Sequence, residues 1–370
     1  MNRENSLKDI QNEIERLNYP PLLAREFVPI KDEPCKLTNG FTNLMQCCGK
    51  GNQKATFSNI DDDDDDDDKK GDEDKPPKND GKSLRIFQWN ILAQALCQGA
   101  DNFVLCPEEA LEWKYRQLRI LEELHRNDAS IYCLQEVDCF SVLKEHFQKL
   151  KFDGVFHPKP QSPCLDQEIN TGPDGCAIFY DEEKFKLHDT RKINLKANEN
   201  VITNQVAILC KFEGIKEKED LGTFFVAVTH LKAKAGYEKL RQAQGRYLLQ
   251  ILTQEVGDAP LILTGDFNAS YKEPVYKEIM KSDLLLSSTY TFLSPDRVEP
   301  PFTTWQVRGS YMGNKETCVA IDYIFFSKDH FRVKSVLDIP SESEIGQKRL
   351  PSLLYPSDHL SLVCDLEILK

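Results

Sequence analysis

Residues 260–270 read PLILTGDFNAS. The apolar run Leu261 to Leu263 predicts a buried strand, and Gly265 marks a point where something approaches the backbone. Just beyond it stand Asp266 and Asn268. Two positions apart on a strand, they are expected to face the same way. An acid and an amide turned together at the end of a buried strand point to chemistry, because such groups are costly to bury unless they are paired or bind a ligand.

The same pattern recurs outward from this stretch. Predicted strands are LRIFQWNIL (84–92), ASIYCLQEV (129–137), CAIFYD (176–181), NQVAILCKF (204–212), TFFVAVTHL (223–231), VAIDYIFFS (319–327), FRVKSVLDI (331–339) and LSLVCDLEI (360–368). Helices are predicted at 107–127 and 236–256, with a short one near 5–18. Strands that follow one another without a helix argue for an α+β fold rather than a purely parallel doubly wound sheet.

Single polar residues sit at the ends of these strands: Asn90 after RIFQW, Glu136 after IYCLQ, His230 after FVAVT, Asp322 in AIDYIFF, and Asp358 with His359 before LSLVCDL. Each alone could be a turn residue or a surface charge. Together with Asp266 and Asn268 they form a set of oxygen and imidazole donors without thiolates, which suits a hard cation such as Mg²⁺ or Mn²⁺. The chemistry they fit is metal-assisted phosphoester hydrolysis. No G-x-S-x-G elbow supports a serine hydrolase, and GKGNQKAT (49–56) is not a P-loop.

The 370 residues carry a net charge of −13, with 29% charged and 40% hydrophobic residues, as expected of a soluble globular chain. The segment after residue 82 is acidic in its own right, which weighs against a long nucleic acid as the partner and for a small substrate or a narrow basic pocket. Twelve cysteines include no C-x-x-C pair and read as reduced core thiols. No run is long and apolar enough for a membrane span, and the N-terminus lacks the pattern of a leader, so the expected compartment is the cytoplasm. IDDDDDDDDKKGDEDKPPKNDGK (60–82) repels itself and cannot bury apolar surface. Residues 1–82 are therefore expected to be a largely disordered extension with an acidic linker, and 83–370 the catalytic domain.

The motifs QWNIL, LQEV, DGCAIFY, VTHL, GDFN, IDYIF and SDHL, in this order, resemble the exonuclease–endonuclease–phosphatase superfamily across nearly all of 83–370. The resemblance implies two packed mixed β-sheets flanked by helices, with the site at one end of the sandwich. It implies Glu136 as main metal ligand, with Asn90 and Asp358 near the metal. Asp266 would orient and deprotonate water, Asn268 and His230 would hold phosphate, and Asp322 would orient His359.

DGCAIFY resembles the poly(A) deadenylase branch. Longer stretches, such as THLKAKAGYEKLRQAQG and FTTWQVRGS, resemble a deadenylase-like group that removes the 2′-phosphate of NADP⁺ and NADPH and is associated with circadian and metabolic control. In those stretches and in PKPQSPCLDQEINTGPDGCAIF, Lys159, Lys232, Lys234, Arg308 and Asp174 are the expected substrate-binding residues, with Lys232 and Lys234 alternating after His230 and so expected to project to its side of the strand. Lys234 and Gln161 depart from that group's usual Arg and Trp. A 3′→5′ poly(A) exoribonuclease, and an inactive adaptor in RNA-decay complexes, remain alternatives. A monomer is expected, and the resemblance adds association with mitochondria.

Overall fold

A computed structural model describes residues 3–31, 83–97, 103–309 and 313–369. In chain order the strands are β1 (Phe27–Pro29), β2 (Ser83–Asn90), β3 (Ile131–Gln135), β4 (Phe152–Pro158), β5 (Gly175–Asp181), β6 (Phe185–Asn198), β7 (Val201–Gly214) and β8 (Thr223–His230). They continue with β9 (Leu261–Asp266), β10 (Leu286–Ser288), β11 (Thr304–Arg308), β12 (Lys315–Val319), β13 (Asp322–Ser327), β14 (Phe331–Leu337) and β15 (Leu362–Ile368). The helices are α1 (Arg3–Arg16), α2 (Glu108–Leu111), α3 (Trp113–Arg126), α4 (Phe140–Gln148), α5 (Glu238–Val256), α6 (Pro274–Met280) and α7 (Glu342–Ile345).

Two mixed sheets face each other, as expected. One runs β1-β14-β15-β2-β3-β5-β4 and the other β10-β13-β9-β8-β7-β6, with β11 and β12 forming a separate ribbon. Ile86, Ile131 and Ile178 of the first sheet share a core with Val226, Ile262 and Ile324 of the second. On the outer face of the first sheet, Phe87 and Trp89 pack with Leu121, Leu124 and Phe147 of α3 and α4. Leu248, Leu252 and Ile279 of α5 and α6 cover the second, against Ala227, Leu263 and Phe325. Both faces of β2 are thus covered, which is why all eight of its residues are buried rather than alternate ones.

Two parallel pairs govern the site. β2 pairs with β3 through the α3 crossover, and β8 pairs with β9 through α5. Parallel strands joined this way end on the same edge of the sheet, so their terminal residues are brought side by side.

The expected extension 1–82 needs correction over 3–31, which is part of the folded body. Ile10, Ile14, Leu22 and Leu23 belong to the same core as Trp89 and Phe147. β1 adds an antiparallel edge strand, with Phe27 opposite Leu337. Arg25 donates from Nη1 to the Ser361 carbonyl at 2.8 Å, and Arg3 pairs with Asp181 at 2.6 Å. The acidic run lies outside the described residues. The predicted helix 107–127 is two helices, because Glu112 adopts an extended backbone (φ −67°, ψ 137°) between α2 and α3.

Candidate active site

The two sheet edges meet at the residues the sequence singled out. Asn90 ends β2 and lies opposite Gln135, and Glu136 follows β3 with a left-handed φ of 54° that swings its carboxylate out of the strand row. In the second sheet His230, Asp266 and Asp322 stand in one register row, His230 opposite Asp266 and Asp266 opposite Asp322. Gly265 makes this row possible: its φ is 152°, and a Cβ there would come within 2.2 Å of the Thr229 carbonyl oxygen.

One amide joins the sheets. Asn90 Nδ2 lies 3.1 Å from Glu136 Oε1 and 3.0 Å from Asp266 Oδ2. Its Oδ1 accepts from the Leu92 backbone at 3.0 Å, which fixes which end of the amide faces the acids. Glu136 Oε2 accepts from Ala93 N–H at 3.2 Å. His359 Nδ1 lies 2.9 Å from Asp322 Oδ2, and its Nε2 is 3.8 Å from Asp266 Oδ2. Thr303 donates its hydroxyl to the same Asp322 oxygen.

Asp266 and Asn268 come together for a different reason than the one expected. β9 ends at Asp266, and Asn268 lies beyond it with φ 50°. The turn itself closes on the acid, since Asn268 N–H donates to Asp266 Oδ1 at 2.8 Å, and Asn268 Nδ2 donates to the Leu231 carbonyl.

Burial sets the charges. It pushes the Asp266 carboxyl up to about 7, helped by the charge of Asp322 and opposed by His359 and Asn90. Burial opposes a charged His359 as well, yet Asp322, Asp358 and Asp266 outweigh it and hold its pKa well above the ordinary value. His230 goes the other way, because burial and the nearby Lys159 keep it neutral.

The expected substrate residues divide. Lys159 is partly buried in an ion pair with the buried Asp174 at 2.5 Å, and the pull of Asp174 and Glu136 overcomes desolvation to keep it charged. Asp174 is held further by the Ser162 hydroxyl. Arg308 pairs with Asp358 at 3.1 Å and stacks on Phe103 at 4.2 Å. Lys232 is half-buried, with Nζ 4.9 Å from the Tyr237 ring.

Lys234 does not follow expectation. β8 ends at His230, and Lys234 sits in the loop beyond, exposed and with φ 80°, so strand alternation does not carry it to the side of His230. Gln161 is exposed too, its backbone tied to Asn204. Thr303, Ser162 and Ser357, whose hydroxyl donates to the Asn90 carbonyl at 2.7 Å, carry no signature in the sequence, since each is a lone hydroxyl in FTTW, QSPC or PSDH.

The family model described as Endonuclease/Exonuclease/phosphatase family matches residues 87–359, which span every residue of this site. Nocturnin of Rattus norvegicus is 50% identical over 286 residues, 76% of this chain and 65% of the relative. Nocturnin of Xenopus laevis is 47% identical over 288 residues, 77% of this chain and 72% of the relative. The solved human nocturnin catalytic domain, described with a bound sulfate anion, superposes with a TM-score of 0.65 at 41% identity, covering 78% of this chain and 95% of that one. The chain belongs to the nocturnin group of the endonuclease/exonuclease/phosphatase family. It spans 65% of the length of the rat nocturnin it matches.

The donors of this nocturnin-group site fit a divalent cation. Asp266, Asp322 and His359 each offer an atom within 4.8 Å of the others. One oxygen each of Asp322 and Asp358 is buried without a hydrogen-bond partner. Buried carboxylate oxygens left open in this way call for a cation or ordered water. Asp322 already holds His359 through its other oxygen, so it serves the imidazole first. Glu136 and Asp358 are the remaining carboxylates for a hard cation, and Asn90 stands beside Glu136 with its Nδ2, not its Oδ1, turned toward it.

Proposed function

We propose that this chain is a Mg²⁺-dependent phosphoester hydrolase that removes the 2′-phosphate of NADP⁺ and NADPH. The observation that carries this reading is Lys159, a partly buried cation held by Asp174 beside the acid cluster. A terminal phosphate carries close to two negative charges and needs such a fixed positive group. The net charge of −13 gives no overall attraction to the backbone of a long RNA.

Glu136 and Asp358 would hold the cation, with Asn90 beside Glu136, and the cation when bound supplies neutralising charge to the phosphoryl oxygens. Asp266 would orient water and take its proton, and a carboxyl group poised near 7 suits that exchange. Asn268 and neutral His230 offer N–H groups to phosphoryl oxygens. Charged His359, braced by Asp322, would stabilise the charge that builds in the transition state. Water oxygen bonds to phosphorus, the bond from phosphorus to the ribose 2′ oxygen breaks, and that oxygen leaves with a proton.

Phosphate release from NADPH by Lys159→Ala and Arg308→Ala tests the pocket. Each variant is expected to lose about ten- to a hundredfold in kcat/KM, as removal of one charge-assisted contact implies. Lys234→Ala is expected to change little, being exposed in the loop. Unchanged NADPH kinetics in both of the first two variants would contradict this substrate assignment.

A further inference from the structure

Arg116 on α3 is fully buried, and all of its described hydrogen-bond partners are neutral oxygens. Its Nη2 reaches the carbonyls of Ile91 at 2.7 Å and Leu92 at 2.5 Å, its Nη1 the Gln94 side chain at 2.7 Å, and its Nε the Pro356 carbonyl at 2.8 Å. A buried cation is costly, and carbonyl oxygens repay that cost only where the fork fits all of them at once.

The carbonyls it gathers belong to two turns that carry the site. Ile91 and Leu92 directly follow Asn90, and the Leu92 N–H fixes the Asn90 amide so that Nδ2 faces Glu136 and Asp266. Pro356 leads into Ser357, Asp358 and His359. Ser357 already ties the same two turns once, donating to the Asn90 carbonyl at 2.7 Å and accepting from His359 N–H at 3.1 Å.

We propose that Arg116 is a positioning residue for the proposed hydrolysis: its guanidinium locks the turn after Asn90 to the turn before Asp358 and His359, and so sets the spacing between Asn90 with its neighbour Glu136 and the Asp358–His359 pair. It touches no substrate and acts through Leu92, Asn90 and Pro356. The inference rests on the reading of the site as a metal-dependent hydrolase.

Arg119 provides the control. It lies on the same helix, is equally buried, and spends its donors on Pro20, Glu122 and Tyr115, away from the site. Arg116→Lys and Arg119→Lys both keep the charge and lose the fork. The experiment compares the two in the full chain by steady-state NADPH hydrolysis, by Mn²⁺ binding followed by electron paramagnetic resonance, and by thermal unfolding. Arg116→Lys is expected to lower kcat by about ten- to a hundredfold with KM changed by less than about threefold, as a displacement of about 1 Å in a reacting constellation implies. It is also expected to weaken Mn²⁺ binding by more than about threefold, while Arg119→Lys lowers the unfolding temperature and leaves kcat and Mn²⁺ affinity near wild type.

Equal loss of kcat and Mn²⁺ affinity in the two variants would overturn the proposal, as would wild-type values for Arg116→Lys. If Arg116→Lys fails to fold, Gln94→Leu decides. It removes one acceptor of the fork and is expected to lower kcat by about three- to tenfold, and an unchanged kcat overturns the proposal. A wild-type chain inactive on NADPH would count against the substrate reading, and the Mn²⁺ titration would still test Arg116.

Discussion

Asn90 and Asp266, 176 positions apart in the chain, meet at 3.0 Å where the two sheets come together. One ends β2 and the other β9, and the same Asn90 amide nitrogen also reaches Glu136 at 3.1 Å. Replacing Asn90 by Ala leaves the two carboxylates facing each other without a donor between them. kcat is expected to fall by about a hundredfold, with a weaker response to Mg²⁺. Steady-state kinetics across a Mg²⁺ titration check this, and wild-type kcat at any Mg²⁺ concentration would remove Asn90 from the site.

Asp322→Asn removes the charge that most favours protonated His359 and turns an acceptor into an amide. In comparable acid–imidazole pairs the loss reaches about 10⁴ in kcat, and here about 10²–10⁴ is expected with little change in KM. Far-UV circular dichroism on the same sample separates this from misfolding. A folded variant with kcat within about threefold of wild type would show that Asp322 does not serve the imidazole.

Much of this site is legible in the sequence because each residue stands alone at the end of an apolar strand, where a polar group needs a reason. Lys234 misleads because alternation stops with β8 at His230, and the loop then turns it to solvent. β6 escapes reading because it is the edge strand of its sheet, largely polar and broken by register shifts against β7. The helix near 5–18 is legible and forms as α1, but the docking of residues 3–31 onto the body is hidden for another reason. A three-residue strand such as β1 has little local signal, and its partner β14 lies at the far end of the chain.

That segment yields a stability test. Removing residues 1–31 strips Ile10, Ile14, Leu22 and Leu23 from the core and leaves the edge of β14 bare. Each buried aliphatic side chain contributes about 1.5–3 kcal/mol, so a severe loss of stability is expected. Replacing the eight aspartates 61–68 by serine is expected to leave both stability and turnover unchanged, since no site residue lies there. Urea unfolding of both variants, with steady-state NADPH turnover of the second, decides it. A shortened chain as stable as wild type would show that 3–31 is dispensable.

Acid sensitivity is expected from a histidine pair beneath α1. His125 Nε2 lies 2.6 Å from His146 Nε2, and burial, then His146 and Arg3, lower the His125 pKa to about 3. The unfolded chain takes up a proton near pH 6.5 that the folded chain refuses until about 3. Stability from this group is therefore full above pH 6.5 and declines as the pH falls toward 3, by at most about 1.4 kcal/mol per pH unit. Urea unfolding at pH 7.5, 6 and 5 is expected to show a steeper decline for wild type than for His125→Gln. Parallel declines would mean that His125 protonates freely in the folded state.

The most direct test of the proposed activity sets two substrates before one preparation of the full chain. Phosphate release from NADPH and shortening of an A-tailed RNA are followed side by side with Mg²⁺, with EDTA, and with Glu136→Ala in place of wild type. The expected result is phosphate and NADH from NADPH, abolished by EDTA and by Glu136→Ala, with the RNA left at full length. RNA shortening without phosphate release from NADPH would contradict it.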